Sequence, residues 1–385
     1  LTKMSEYFDT FRIDHILGFF RIWEIPYQQV EGVLGYFNPS IPYHRDELAS
    51  RGIWLDYDRM VKPYIREHFL HERFGDQTEY VKAQFLRKKE AGVYELKPEF
   101  DTQRKIANYL KPQPDASTNE HSRLENLKQG LFGLVSEVVF IEAPDTNGEA
   151  FFPRNTMHHT RSYQELDADV KNRLNDIYID YFYRRNEDFW RHQAMVKLPA
   201  IKNATEMLIC GEDLGMVPEA VPDVMNELGI LSLEIQRMPK NPKIDFGHPA
   251  DYPYLSVATP STHDMASLRG WWEEAPARSQ YFFNLILGNP GASPFYCEPW
   301  IVKQILDQHF YSPSMWAIFP MQDILAMDGE LRHWNAQAER INDPANPNHY
   351  WSYRFHIPME KLLQEDEFNN AVLEMVEASG RASAY

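Results

Sequence analysis

Basic residues are the scarce class in this sequence. Lys and Arg number 39 against 56 Asp and Glu in 385 residues, a formal net charge of −17 at pH 7. With no basic excess to neutralise phosphates or settle on an anionic surface, nucleic acid and membrane are set aside as partners. Cysteine is rarer still. Cys210 and Cys297 make no disulfide framework and suit a reducing, cytoplasmic setting. No run approaches the ~20 apolar residues of a membrane span, and the longest candidate, 130–143, is interrupted by Ser136 and Glu137. No signal peptide is recognisable. The chain opens on Leu1 and almost at once, at 10–13, enters what reads as a short buried strand, so the natural protein is expected to begin further upstream. Neither a G-x-G-x-x-G fingerprint nor a P-loop occurs, which leaves no cradle for a nucleotide phosphate.

What is present is a large apolar stock, 43% hydrophobic and 14% aromatic residues, enough for more than one core. From Asp14 to about Arg59 the chain is rich in Gly, Pro and aromatics (Gly32, Gly35, Asn38-Pro39, Ile41-Pro42, Gly52, Trp54) and reads as a long loop region over a site. The stretch 60–200 is charged and helix-forming. Helical spacing runs over 80–90 and over 170–185, where Leu174, Ile177, Tyr178 and Tyr181 share a face, and 131–141 reads as helix running into strand. Turns are expected at 112–114 and 144–148. This block reads as an inserted, mostly helical subdomain.

Beyond Glu206 the rhythm changes. Apolar runs at 207–210, 230–235, 255–259 and 315–319 each end in a polar cluster and alternate with helical sequence, one helix starting near Pro218 beside the acidic Glu219. Strand, polar cluster and helix in repetition predict a parallel α/β sheet or barrel. The expected division is therefore 1–59, 60–200 and 201–385.

Three carboxylates sit just past apolar runs: Asp14 after Phe11-Arg12-Ile13, Glu212 after Ile209-Cys210-Gly211, and Asp264 after Ser261-Thr262-His263. In a (β/α)₈ barrel such strand ends converge on one face, where catalytic groups gather. Two carboxylates flanking one glycosidic bond are what glycoside chemistry needs, one to attack or activate and one to protonate the leaving oxygen. Arg12 lies two residues before Asp14, on the same face of an extended chain, where it holds the carboxylate ionised and oriented. Taken singly, each carboxylate is better read as a helix cap or a rim ion-pair partner. His68 and His71 have the i,i+3 spacing of a metal pair without an obvious third ligand, and His158-His159 reads as a surface pair. Trp23, Trp54, Trp271 and Trp272 suit either sugar stacking or core packing.

Taken together the motifs resemble glycoside hydrolase family 77, the 4-α-glucanotransferases or amylomaltases. The resemblance rests on Arg12-Ile13-Asp14-His15 with Gly18-Phe19 and Glu24-Ile25-Pro26, on Gly211-Glu212-Asp213-Leu214-Gly215, and on Thr262-His263-Asp264 with Gly270-Trp271-Trp272. It continues through Gln322-Asp323-Ile324-Leu325, Arg340-Ile341-Asn342-Asp343-Pro344 and Tyr350-Trp351-Ser352-Tyr353-Arg354 in the family's order. The block between Asp14 and Glu212, with Phe151-Phe152-Pro153-Arg154 and Gln236-Arg237-Met238-Pro239, resembles the branch of the plant cytosolic disproportionating enzyme and its bacterial relatives.

The resemblance implies an α/β fold: the C-terminal part of a (β/α)₈ TIM-type barrel, strands 4 to 8, with the insertion between strands 4 and 5. It implies Asp14 as nucleophile, Glu212 as acid and then base, and Asp264 gripping sugar hydroxyls. Arg12, His263 and Asn342 join as substrate-binding residues. Maltose, maltodextrins and glycogen-like glucans are the implied partners, with no metal and no organic cofactor. Two departures stand out. Met265-Ala266-Ser267 follows Asp264 where the family usually has Asn-Asp-Thr, which bears on the donor site. Thirteen residues before Asp14 also leave no room for three earlier strands, so the chain alone is expected to be poorly active or inactive. An amylase-type hydrolase and a non-catalytic glucan-binding module are the alternative readings.

Overall fold

The computed structural model describes residues 1–111 and 117–382, so the turn expected at 112–114 lies outside the described residues. The chain divides into two compact units, Leu1–Leu17 with Val196–Tyr385, and Gly18–Met195.

Five short parallel strands organise the first unit: β1 (Thr10–Ile13), β2 (Leu208–Gly211), β3 (Ser232–Ile235), β4 (Ser256–Thr259) and β5 (Trp316–Ala317). They lie side by side in chain order. β1 pairs with β2 from Thr10↔Leu208 to Ile13↔Gly211, β3 with β4 from Ser232↔Ser256 to Ile235↔Thr259, and β4 with β5 at Val257↔Trp316 and Ala258↔Ala317. One bridge, Cys210↔Leu231, joins β2 to the approach to β3. Parallel neighbours need crossovers, and helices supply them: Ala220–Leu228 between β2 and β3, then Leu268–Glu274, Pro276–Leu285 and Pro299–Phe310 between β4 and β5.

Sequence explains these helices well. Val221, Val224, Met225 and Leu228 form one buried stripe on Ala220–Leu228, and Gly229, at φ 64°, closes the helix with its N–H on the Asn226 carbonyl. Pro218 precedes this helix by two residues instead of opening it. Ser267 Oγ caps Leu268–Glu274 by accepting the Gly270 N–H at 3.2 Å. Leu231, Leu233, Ile235 and Val257 form the sheet's own apolar cluster, and Trp272, Phe282, Ile301, Ile305 and Leu306 form that of the helices.

Two expectations need correction here. β1 is not a buried strand, because Arg12 is exposed and Thr10, Phe11 and Ile13 are half-buried; among the described residues it is paired only by β2. The run 315–319 contributes only Trp316-Ala317 to the sheet, and Gln322-Asp323 fall in the short helix Met321–Leu325.

In the second unit the long helices are Thr118–Val135, Ala168–Tyr183 and Glu187–Lys202, the last crossing into the first unit. Leu174, Ile177, Tyr181 and Phe182 are buried on Ala168–Tyr183, and Thr118–Val135 runs on towards the strand Phe140–Glu142. Three small antiparallel sheets accompany them, and sequence reading missed most of these strands. The region read as loop holds the pair Ile22–Glu24 with Tyr36–Asn38. Gly35 is required there, since a Cβ would stand 2.4 Å from Trp23 Nε1. The stretch 80–90 splits into helix Thr78–Phe85 and strand Leu86–Glu90. Val81 and Phe85 complete the helix's apolar face, whereas Arg87 to Glu90 offer no apolar face at helical spacing and pair instead with Val93–Leu96 around Gly92. The turn at 144–148 links Phe140–Glu142 to Ala150–Pro153. No helix among the described residues is long and apolar enough to cross a membrane.

Candidate active site

The parallel pairing of β1 and β2 sets their C-terminal ends side by side, and Asp14 and Glu212 are the residues that follow. Three hydrogen bonds join the two ends, and a fourth is local to the β2 end. Glu212 N–H donates to the Ile13 carbonyl (2.9 Å) and Ile16 N–H to the Glu212 carbonyl (3.0 Å). The carboxylate itself accepts the His15 N–H at Oε2 (2.9 Å), while its Oε1 accepts the Leu214 N–H (3.0 Å). The first three of these, with the Cα-paired Ile13↔Gly211, lock the ends together. Arg12 reaches back to Asp14 Oδ1 at 2.9 Å, as the two-residue spacing predicts. The Asp14 side chain is 81% exposed, so this pair orients more than it stabilises.

A second group gathers behind β4. Asp264 Oδ1 accepts Asn342 Nδ2–H at 2.7 Å, and Oδ2 lies 3.2 Å from His263 Nε2. The Asn342 N–H donates to the His263 carbonyl at 3.1 Å, and the Trp351 ring stands 5.4 Å from that of His263. Arg12 and His263, one from each group, line the same cavity of about 460 Å³, which runs along the open face of the sheet past Cys210, Ser232, Val257 and Trp316. Asp14, Glu212 and Asp264 are not among its lining residues, although their neighbours Arg12, Gly211 and His263 are.

Sequence reasoning assigned no role to the charged groups that hold the Asp264 turn. Arg237 is buried and donates to the carbonyls of Pro260 (3.1 Å) and Ala266 (2.9 Å), with its guanidinium 5.2 Å over the Trp271 ring. Burial pushes Arg237 down to about 10. Asp323 accepts the Leu268 N–H at 2.8 Å and the Ser261 hydroxyl. Glu339 takes Arg269 at 2.6 Å and the Ser267 hydroxyl at 2.7 Å. Burial raises both carboxyls above their ordinary range. Arg237 and Asp323 stood inside motifs of the resemblance, and a charged residue inside an otherwise apolar segment was the available signal. Met265 turns inward onto the sheet's apolar cluster and meets Arg237 through its sulfur (3.3 Å).

The other candidates scatter. Trp272 is buried with its Nε1–H on the Pro294 carbonyl, Trp23 packs edge-on to Phe37, and Trp54 is exposed. His68 pairs with Glu165 at 2.7 Å. Of the expected surface pair, His159 is exposed, whereas His158 is half-buried between Tyr163 and Tyr178 and contacts Asn175 Oδ1 at 3.2 Å. Among the described residues no group of three or more His, Cys, Asp or Glu could hold a metal ion.

The sequence pattern of the 4-alpha-glucanotransferases, glycoside hydrolase family 77, matches residues 1–360. The chain belongs to glycoside hydrolase family 77. This family-77 chain is 42% identical to the 4-alpha-glucanotransferase DPE2 of rice, Oryza sativa subsp. japonica, over 99% of its own length and 40% of the rice protein. A 4-alpha-glucanotransferase of Chlamydia pneumoniae is 34% identical over 46% of this chain and 33% of its own. The amylomaltase of Streptococcus agalactiae in complex with acarbose aligns over 51% of this chain and 35% of its own, at 18% identity and a TM-score of 0.38. The family-77 chain thus spans about 40% of the rice relative.

Proposed function

We propose that this family-77 chain carries the reacting groups of a retaining 4-α-glucanotransferase. Asp14 attacks the anomeric carbon of an α-1,4-linked glucose, and Glu212 gives its proton to the departing 4-oxygen. A covalent glycosyl ester on Asp14 results. Glu212, now a carboxylate, takes the proton from the 4-hydroxyl of an incoming glucan, whose oxygen displaces Asp14 with a second inversion. Asp264, His263 and Asn342 grip ring hydroxyls of the sugar being transferred, and Arg12 keeps Asp14 aimed. Transfer prevails over hydrolysis when a sugar hydroxyl, not water, occupies the acceptor position.

The observation that carries this reading is the hydrogen-bonded joint between β1 and β2, which brings together residues 197 positions apart in the sequence. Five parallel strands in chain order, the first four followed closely by polar residues, support the finer reading of strands 4 to 8 of a (β/α)₈ barrel. In it the unit Gly18–Met195 is an insertion between the first two of those strands. Maltose or short maltodextrins as donors, a glycogen-like glucan as acceptor and a cytoplasmic setting complete the proposal.

The test is chromatography of the products formed from maltotriose and glycogen, with Asp14→Asn alongside. Glucose release with lengthened glucan, absent from Asp14→Asn, is the expected result, even at low turnover. Products only shorter than the donor would identify a hydrolase, and products indifferent to Asp14→Asn would sink the assignment of the nucleophile.

A further inference from the structure

We propose that His15 positions Glu212 through its main chain and not through its ring. His15 sits between the two reacting carboxylates and holds a left-handed backbone, φ 47°, that non-glycine residues seldom adopt. Its imidazole is exposed and, among the described residues, makes no hydrogen bond. Its N–H does: it donates to Glu212 Oε2 at 2.9 Å. The next amide, Ile16 N–H, donates to the Glu212 carbonyl at 3.0 Å. A left-handed residue lets successive N–H groups converge on one set of oxygens, the arrangement that makes backbone anion nests. Here the oxygens belong to a single residue on the neighbouring strand end.

The packing around the turn is built for the same close approach. Ile16 is fully buried, and a Cβ at position 211 would meet Ile16 Cδ1 at 2.9 Å and Met225 Cε at 2.8 Å. Gly211 therefore makes room for the residue that follows the left-handed turn, and it immediately precedes Glu212. The Leu214 N–H occupies the other carboxylate oxygen, so both oxygens of Glu212 are set by main-chain donors, one from each strand end. Strained backbone held in place by tight packing is the form that preorganisation takes at reacting centres.

This inference rests on the transferase reading, in which Glu212 handles the proton, but its first test does not depend on activity. Crystal structures of His15→Gly and His15→Val are compared with that of the unaltered protein for the separation of N15 and Glu212 Oε2. Glycine accepts the positive φ freely and keeps the 2.9 Å contact, whereas valine, branched at Cβ, abandons φ 47° and releases the carboxylate. In maltotriose transfer, His15→Val lowers kcat about 100-fold at a nearly constant KM, the scale of a misplaced reacting group. His15→Gly rescues kcat to within about threefold of the parent because the main-chain donor survives. Should His15→Val fold poorly, His15→Ala provides the same comparison in milder form.

A valine variant with Glu212 still in contact would overturn the proposal. A glycine variant that keeps the contact yet loses transfer would do so too, by showing that the ring acts. Loss of the transferase reading itself would appear separately, as parent activity indifferent to Asp14→Asn, and the crystallographic comparison would still decide the role of His15.

Discussion

Replacing Lys240 by methionine removes one of the partners that anchor the turn after β2. Asp213, the residue beside Glu212, has no solvent exposure. Its Oδ1 accepts the Leu233 N–H at 2.9 Å and its Oδ2 meets Lys240 Nζ at 2.6 Å; the same ammonium reaches Glu234 Oε1 at 2.8 Å. Burial raises the Asp213 carboxyl, and Lys240 holds that rise back. Methionine keeps much of the apolar stem and strands an ionised Asp213. Removing one partner of a buried pair costs about 3–5 kcal/mol. The Lys240 side chain retains 19% exposure and the Leu233 N–H remains, which points to the lower end, about 3 kcal/mol. In a unit of about 200 residues that lowers Tm by roughly 6–12 °C.

The pH dependence of the same variant has a definite sign. Without Lys240 the folded-state pKa of Asp213 rises further above its unfolded value. Between those two values the folded chain holds a proton that the unfolded chain lacks, so stability falls as pH rises through the window. The deficit is widest near neutrality and narrows towards pH 4. Calorimetry at pH 7.5 and pH 5 reads both quantities, and Asp213→Asn added to Lys240→Met recovers part of the loss. A deficit below ~1 kcal/mol at pH 7.5, or one that ignores pH, would refute the reasoning.

Two further outcomes are expected. Burial holds His309 down to about 4, so below its unfolded value of 6.5 the unfolded chain takes a proton that the folded chain refuses. Stability complete above pH 6.5 is then lost by about 3 kcal/mol on acidification to pH 4, and His309→Gln flattens that slope in a calorimetric pH series. Asn342→Ala removes the 2.7 Å bond to Asp264 and should lower kcat/KM for transfer about tenfold while leaving Tm nearly unchanged. A tenfold loss accompanied by a large fall in Tm would place Asn342 in the scaffold instead.

The strands at 207–210, 230–235 and 255–259 were legible within two residues because each is an apolar run stopped by a polar cluster. So was the helix carrying Leu174, Ile177 and Tyr181, whose spacing has one physical solution. The small strands of the second unit were not. Leu86–Glu90 is almost wholly charged, and its extended form comes from a partner strand that local spacing cannot reveal. The candidate site divides the same way. Arg12 with Asp14 and His263 with Asp264 are near neighbours in sequence, and their contacts follow from strand geometry or adjacency. Asn342 was named by family resemblance, but its partner Asp264 emerges only from the tertiary fold. His15 was invisible as a turn residue because histidine advertises no left-handed conformation, unlike the glycine usually sought there.

The narrow join between β2 and β3 has a mechanical consequence. Among the described residues two main-chain hydrogen bonds cross it, Gly211 N–H to Leu231 (2.8 Å) and Leu231 N–H to Ile209 (2.9 Å), with the Asp213 side chain as a third fastening. On one side stand Asp14 and Glu212, on the other Asp264 and its supports. Local opening favours places with few backbone hydrogen bonds, so β2 and β3 are expected to part here more readily than β1 and β2, which pair over four residues. Any flexing there opens or closes the span between the groups that would make and break bonds and the groups that would hold the sugar.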